Sequence, residues 1–224
     1  DDKLKRMNKI NNMFLKKKIL IYGLCKSGIS TYNFLRQKAK VNLFDDNPQN
    51  SFRFDKKSLS FTKILKCDFD FIRISPGIDF LKCKLSKYLK QNSSKVYTDL
   101  DVFYSFFGND SVTITGTNGK STTAKLLYDV LRDQKKDARL VGNIGNPILS
   151  EKKITKKTFF VIEASSYQLE YSKIFKSKYS AILNITPDHI ERHKNFKNYV
   201  DAKFRLLDSQ TSQSVGFVKI NDPV

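Results

Sequence analysis

Residues 112–123 read VTITGTNGKSTT, and this stretch decides the fold of the chain around it. A β-branched run precedes Gly116 and Gly119, and an apolar-periodic segment follows Lys120, so the pattern predicts a strand, a glycine loop and a helix. The backbone N–H groups of such a loop and the positive end of its helix face a phosphate group. Lys120 adds a mobile positive charge, and Ser121 adds an oxygen that can bind Mg²⁺. The stretch therefore predicts a site for a nucleoside triphosphate.

This loop is shorter than the general phosphate-binding loop, which has four residues between its two glycines. That pattern would require glycine at position 114, where this sequence has Ile114. A glycine turn before an ordinary helix is the alternative interpretation. The Lys-Ser-Thr-Thr sequence at residues 120–123, directly after a strand of suitable length, favours the phosphate site.

The segment TGTNGKSTT at 115–123 resembles the ATP loop of the Mur ligases, the ADP-forming amide ligases of peptidoglycan and folate metabolism. Three later stretches resemble the D-glutamate-adding branch of that family: GNIGNP at 142–147, EASSYQLE at 163–170 and LNITPDHIERH at 183–193. The resemblance implies that ATP phosphorylates the terminal carboxylate of UDP-N-acetylmuramoyl-L-alanine and that D-glutamate attacks the acyl phosphate. It also implies a role in peptidoglycan synthesis, and so in cell shape and cell division.

The resemblance assigns roles to residues in the second half of the chain. Glu163 ends a predicted strand, where a carboxylate near Ser121 can complete the oxygen shell of Mg²⁺. His189 follows the family's N-x-x-x-D-H pattern, which begins at Asn184, and Lys203 matches the family's carbamylated lysine. The expected catalytic residues are Lys120, His189 and Lys203. The expected Mg²⁺ ligands are Ser121, Glu163, His189 and Lys203. The expected ATP-binding residues are Gly116, Thr117, Asn118, Gly119, Lys120, Ser121 and Thr122.

The first part of the chain predicts a nucleotide-binding βαβ unit, with a buried strand over 18–23 and the turn GLCKSG over 23–28. Cys25 occupies the position that an NAD-binding turn reserves for glycine, and its side chain obstructs the approach of a pyrophosphate. The resemblance implies that this unit holds the UDP part of the substrate instead. The expected substrate-binding residues are Lys26, Ser27, Asp45, Ser75, Pro76 and Gly77, with Asn143 and Ser165 in the second domain.

The expected fold class is α/β, with a Rossmann-like parallel-sheet domain followed by an incomplete P-loop-type ATPase domain. The predicted ranges are 1–13 for a frayed tail, 14–98 for the first domain, 99–110 for a linker and 111–224 for the second domain. Members of the family continue into a third domain that holds D-glutamate. We therefore expect the 224-residue chain alone to lack amide-forming turnover.

The formal net charge of +19 raises the possibility of a nucleic-acid partner. The lysines are dispersed, however, and no nucleic-acid-binding signature accompanies them, so a solvated surface is the favoured interpretation. The three cysteines fit no disulfide framework, which predicts a cytoplasmic protein. No apolar run is long enough to span a bilayer, so no membrane insertion is expected. A monomer is expected. The alternatives are another Mur-type ligase (alanine-adding or folylpolyglutamate-forming), a non-catalytic substrate-binding remnant, and a basic nucleic-acid binder.

Overall fold

The computed structural model describes residues 13–52, 54 and 56–219. The tail expected at 1–13 lies outside the described residues except for Met13. Both parts of the chain form parallel sheets covered by helices, which confirms the predicted α/β fold class. None of the helices in the described ranges has the length and apolar character needed to cross a bilayer.

Contacts divide the chain into two units, residues 1–107 with 148–150, and residues 108–147 with 151–224. The division falls inside the range 99–110 that the sequence assigns to a linker, but most of that range is a helix of the first unit. The grouping of Ile148–Ser150 with the first unit has no counterpart in the sequence prediction.

The first unit contains a four-stranded parallel sheet in the order β2-β1-β3-β4. Its strands are β1 (Lys18–Tyr22), β2 (Lys40–Phe44), β3 (Phe71–Ile74) and β4 (Val96–Tyr97). Its helices are α1 (Lys26–Leu35), α2 (Pro48–Phe52), α3 (Phe61–Leu65), α4 (Ser86–Gln91) and α5 (Asp99–Phe106). The central strand β1 is almost entirely apolar because a strand covered on both faces has no water-facing side.

Local capping determines where several of these helices begin. Thr98 and Asp101 form a reciprocal capping box at the start of α5, so two otherwise unpaired backbone N–H groups are satisfied. Helix α4 begins only at Ser86, since Asp79 accepts a hydrogen bond from the backbone N–H of Leu81 and holds the preceding residues in a turn.

The second unit contains a five-stranded parallel sheet in the order β6-β7-β5-β8-β9. Its strands are β5 (Ser111–Thr115), β6 (Ala138–Gly142), β7 (Phe159–Glu163), β8 (Tyr179–Ile182) and β9 (Val215–Val218). Its helices are α6 (Lys120–Asp133), α7 (Ser166–Glu170), α8 (Ile190–His193) and α9 (Phe196–Asp208). Because all five strands are parallel, the loops after β5, β7 and β8 emerge at one edge of the sheet.

Apolar stripes fix the helices of the second unit on their sheet. Ala124 of α6 packs with Val112 and Ile114 of β5, as the periodicity after Lys120 predicts. Tyr199 of α9 packs with Ile182 at the end of β8. These contacts bring the first turn of α6 and the buried face of α9 to the loop edge of the sheet, where the candidate site lies.

Candidate functional site

The loop at 116–119 joins β5 to α6 and is held mainly by one asparagine. Asn184, which follows β8, accepts a hydrogen bond from Thr117 N through its backbone oxygen (2.9 Å) and from Asn118 N through Oδ1 (2.9 Å), and its Nδ2 donates to Asn118 O (3.1 Å). Gly119 adopts φ +80°, which glycine allows without strain, and directs the chain into α6. In the sequence, Asn184 is only the first position of the N-x-x-x-D-H pattern, and nothing local to it indicates this anchoring role.

Thr117 supplies a second set of contacts to the same loop. Its Oγ1 lies 3.0 Å from the hydroxyl of Tyr199 on α9 and accepts a hydrogen bond from Thr186 N at 3.0 Å. Its backbone oxygen accepts from Lys120 Nζ at 2.7 Å. The amine of Lys120 therefore lies against the loop whose backbone N–H groups would surround a phosphate.

The predicted metal ligands Ser121 and Glu163 are in direct contact. Ser121 Oγ donates to Glu163 Oε2 at 2.8 Å, and Asn143 Nδ2 donates to Oε1 at 2.8 Å. The Glu163 residue is completely buried, and within the described ranges no cationic side chain pairs with its carboxylate. A buried carboxylate hydrogen-bonded only by neutral groups is suited to a cation, and its oxygens together with a hydroxyl are the ligands that Mg²⁺ prefers. These two residues thus fit a magnesium ion.

Lys203 lies on the buried face of α9 and is 2% exposed. Its Nζ donates to Gly116 O at 2.8 Å and lies 4.6 Å from the centre of the Tyr199 ring. Burial lowers the pKa of Lys203 to about 7, and the positive charge of Lys120 acts in the same direction. A substantial fraction of the amine is therefore in its neutral, nucleophilic form near neutral pH.

The two histidines have different surroundings. His189 adopts φ +52°, its Nε2 lies 3.4 Å from Asp188 Oδ2, and its ring centre lies 5.1 Å from that of Tyr167. His193 is buried, and its Nε2 lies 3.0 Å from Ser166 Oγ. Across residues 13–52, 54 and 56–219, no group of three or more His, Cys, Asp or Glu side chains is arranged to hold a metal. The expected set of Ser121, Glu163, His189 and Lys203 contains only two residues of those four types, so the role of His189 as a Mg²⁺ ligand stays a prediction.

Two further predicted residues have clear structural contacts. Ser165 caps α7, with its hydroxyl accepting from Gln168 N at 3.3 Å, so this serine organises the turn after β7. Thr122 lies exposed in the first turn of α6, where backbone N–H groups lack partners within the helix.

In the first unit, Ser27 and Ser75 are joined through Arg73, which is not among the expected substrate-binding residues. Arg73 donates to Ser27 Oγ at 2.8 Å and to Ser75 Oγ at 2.6 Å. Asp45 accepts from Leu24 N at 2.6 Å, which ties the end of β2 to the turn after β1. An arginine within the otherwise apolar strand FIRI was the available signal.

The remaining predicted residues of the first unit lie on the turns themselves. Lys26 is exposed at the start of α1, and Pro76 and Gly77 follow Ser75 in the turn after β3. A Cβ atom at Gly77 would have open space around it. These residues surround the end of the sheet at which an α/β unit binds its ligand.

Comparison with known proteins gives the family. Residues 114–224 match the family described as the Mur ligase middle domain. The chain belongs to the Mur ligase family. UDP-N-acetylmuramoylalanine–D-glutamate ligase of Rickettsia bellii (strain RML369-C) is 35% identical over 213 residues, which cover 92% of this chain and 47% of that protein. The ligase of the same name from Thermoanaerobacter sp. (strain X514) is 34% identical over 223 residues, covering 93% and 48%.

A solved structure supports the Mur ligase fold. UDP-N-acetylmuramate:L-alanyl-gamma-D-glutamyl-meso-diaminopimelate ligase from Neisseria meningitides aligns with a TM-score of 0.57 at 14% identity, covering 93% of this chain and 72% of that one. At that identity the likeness concerns the fold alone. The chain spans about half the length of the curated Mur ligases that it matches.

Proposed function

We propose that this chain provides the UDP-substrate-binding and ATP-binding parts of an ADP-forming ligase that joins D-glutamate to UDP-N-acetylmuramoyl-L-alanine in peptidoglycan synthesis. The observation that carries the proposal is the contact of Ser121 with the buried Glu163 directly beside the Lys120 loop. The names of the matched relatives support the choice of substrates.

The reaction brings two anions together, because a carboxylate oxygen must attack the γ-phosphorus of ATP while ADP leaves. Lys120 and the backbone N–H groups of the loop would offset that charge and hold the phosphates in line. Ser121 and Glu163 would hold Mg²⁺, which supplies Lewis-acid stabilisation of the phosphate oxygens. The amine of D-glutamate then attacks the acyl carbon, phosphate leaves, and the amine loses its proton.

Lys203 and His189 have proposed roles at the same edge of the sheet. The neutral form of the buried Lys203 amine can add CO₂ and release a proton, giving a carbamate with anionic oxygens suited to a second Mg²⁺. His189, which follows β8, would contribute a ring nitrogen as a ligand of Mg²⁺. Incubation with ¹³C-bicarbonate should give a carbamate carbon signal in NMR that Lys203→Met removes.

The turns of the first unit would hold the UDP part of the substrate through Lys26, Ser27, Asp45 and residues 75–77. The Ser75 hydroxyl is already engaged with Arg73 and with Gly23 O, so this serine would act by shaping its turn. Asn143 and Ser165 would contact the rest of the substrate from the second unit. The protein would act as a monomer in the cytoplasm. Through peptidoglycan synthesis it would contribute to cell-wall growth and cell division.

Calorimetric titration of the 224-residue chain tests the proposal with two matched variants. Ser27→Ala should weaken binding of UDP-N-acetylmuramoyl-L-alanine and leave Mg-ATP binding unchanged. Ser121→Ala should weaken Mg-ATP binding and leave binding of UDP-N-acetylmuramoyl-L-alanine unchanged. Equal loss of both ligands in either variant would contradict the division of roles. Tighter binding of UDP-N-acetylmuramate than of its alanine adduct would favour an alanine-adding ligase instead. Strongly salt-dependent DNA binding in place of both ligands would favour a nucleic-acid binder.

A further inference from the structure

One buried guanidinium connects three elements of the first unit. Arg73 lies within β3 and is 0% exposed. Its Nη2 donates to Ser27 Oγ in the first turn of α1 at 2.8 Å, and its Nη1 donates to Ser75 Oγ after β3 at 2.6 Å. Its Nη2 also lies 3.4 Å from Asp99 Oδ2 at the start of α5. The planar guanidinium of arginine carries several N–H donors, so one side chain can make these contacts at the same time.

The contacts of Arg73 extend to the other end of the turn after β1. Ser75 Oγ donates to Gly23 O at 2.8 Å, and Gly23 has φ +93°. A Cβ atom at Gly23 would lie 2.6 Å from Ser75 Cβ, so the two turns already pack without spare room. Arg73 therefore fixes the turn at residue 23 through Ser75 and at residue 27 directly.

We propose that Arg73 is a positioning residue for the UDP-substrate site, an inference that rests on the proposed function. Because Arg73 is fully buried, it acts on a ligand through Ser27. The guanidinium donates to Ser27 Oγ, so the hydroxyl proton of Ser27 points elsewhere, and the described residues offer it no acceptor. The partly exposed Ser27 hydroxyl is thereby held as a donor toward an acceptor oxygen of the bound nucleotide, such as a phosphate or a uracil carbonyl oxygen.

Stability alone does not account for this arrangement. Replacing a buried ion pair by neutral groups is often neutral or stabilising, whereas removing one partner leaves a costly buried charge. The Nε atom of Arg73 is buried without a hydrogen-bond partner in the described part of the chain, so the pair is not optimised for stability. The two Nη groups, in contrast, both meet serines of the ligand-facing turns.

The test separates folding from ligand positioning with two variants of the full chain. Arg73→Lys keeps a positive charge near Asp99 but offers a single ammonium in place of the fork. Arg73→Met combined with Asp99→Asn removes both charges and retains an acceptor for the hydrogen bond that Asp99 receives from Leu100 N. Calorimetry with UDP-N-acetylmuramoyl-L-alanine should give Kd values at least about tenfold higher for both variants, equivalent to one lost hydrogen bond. Melting temperatures and Mg-ATP binding should stay near those of the wild type.

A double-mutant cycle with Ser27→Ala identifies the route of the effect. If Arg73 acts through Ser27, then Ser27→Ala should weaken substrate binding in the wild type and add little in the Arg73→Lys background. Additive losses, or wild-type affinity in a folded variant, would overturn the inference while leaving the proposed function intact. Failure of the wild type itself to bind the UDP substrate would instead reject the proposed function, and the inference would fall with it. If the doubly substituted chain does not fold, Arg73→Lys and its cycle decide the question.

Discussion

Lowering the pH from 7 to 5 should destabilise the second unit through a single buried histidine. His193 packs between the rings of Tyr167 and Tyr199, and the hydroxyl of Tyr199 lies 3.0 Å from Thr117 Oγ1 in the loop at 116–119. Burial lowers the pKa of His193 to about 4 from its ordinary 6.5, and the positive charge of Arg192 adds to the effect. The folded state therefore resists a proton that the unfolded state accepts. The contribution of neutral His193 to the free energy of unfolding is fully present above pH 6.5 and is lost as the pH falls toward 4.

The separation between pH 6.5 and about 4 corresponds to at most about 3 kcal/mol of unfolding free energy. At pH 5 the same linkage gives a loss of about 2 kcal/mol relative to pH 7. His193→Gln cannot gain a proton and retains a hydrogen-bonding group for Ser166. Arg192, His189 and Lys203 also act on the ring, and they stay unchanged in this variant.

Urea unfolding followed by circular dichroism at the two pH values would measure the effect, with hydrogen exchange of α9 amides reporting the second unit specifically. The wild type should lose about 2 kcal/mol more than His193→Gln between pH 7 and pH 5. Equal losses in the two proteins would refute the reasoning, because the acid sensitivity would then come from other groups.

Three further outcomes are expected from the same structure. Lys120→Ala should weaken Mg-ATP binding by about 100-fold while UDP-substrate binding persists, and Lys125→Ala, an exposed control on the same helix, should leave both unchanged in calorimetry. Glu163→Gln should raise the Mg²⁺ concentration needed for ATP binding by at least about tenfold, as titration at fixed ATP would show, because an amide is a weaker ligand than a carboxylate. Gly28→Ala should lower the stability of the first unit by about 3 kcal/mol in urea unfolding, since its Cβ would stand 1.8 Å from a backbone carbonyl oxygen, whereas Gly77→Ala should not.

Much of the fold could be predicted because local hydrophobic periodicity indicates the strands and helices. The β-branched strand before Lys120 and the apolar stripe after it specify β5 and α6, and the structure has both. Glu163 could be selected because a strand end in a parallel sheet points to the ligand edge. The assigned roles of these residues stay predictions until binding is measured.

The rest of the candidate site depends on contacts between residues far apart in sequence. Lys203 is one lysine among many, and only its resemblance to a family position selected it, since its burial against Gly116 follows from how α9 packs. Arg73 and Asn184 were not selected because their contacts with Ser27 and Asn118 join positions 46 and 66 residues apart along the chain. Local pattern cannot encode such pairings, which arise from the order of strands in each sheet.

The three residues Ile148–Ser150 have a practical consequence for dissecting this protein. They pack against α1 and α5, and both Ile148 and Leu149 are buried. A polypeptide that ends after Phe107 would expose to water the faces of those two helices that Ile148–Ser150 cover. Exposed apolar surfaces of this kind promote aggregation. Anyone wishing to study the amino-terminal half in isolation would need to graft this tripeptide back, or replace the uncovered apolar side chains with polar ones.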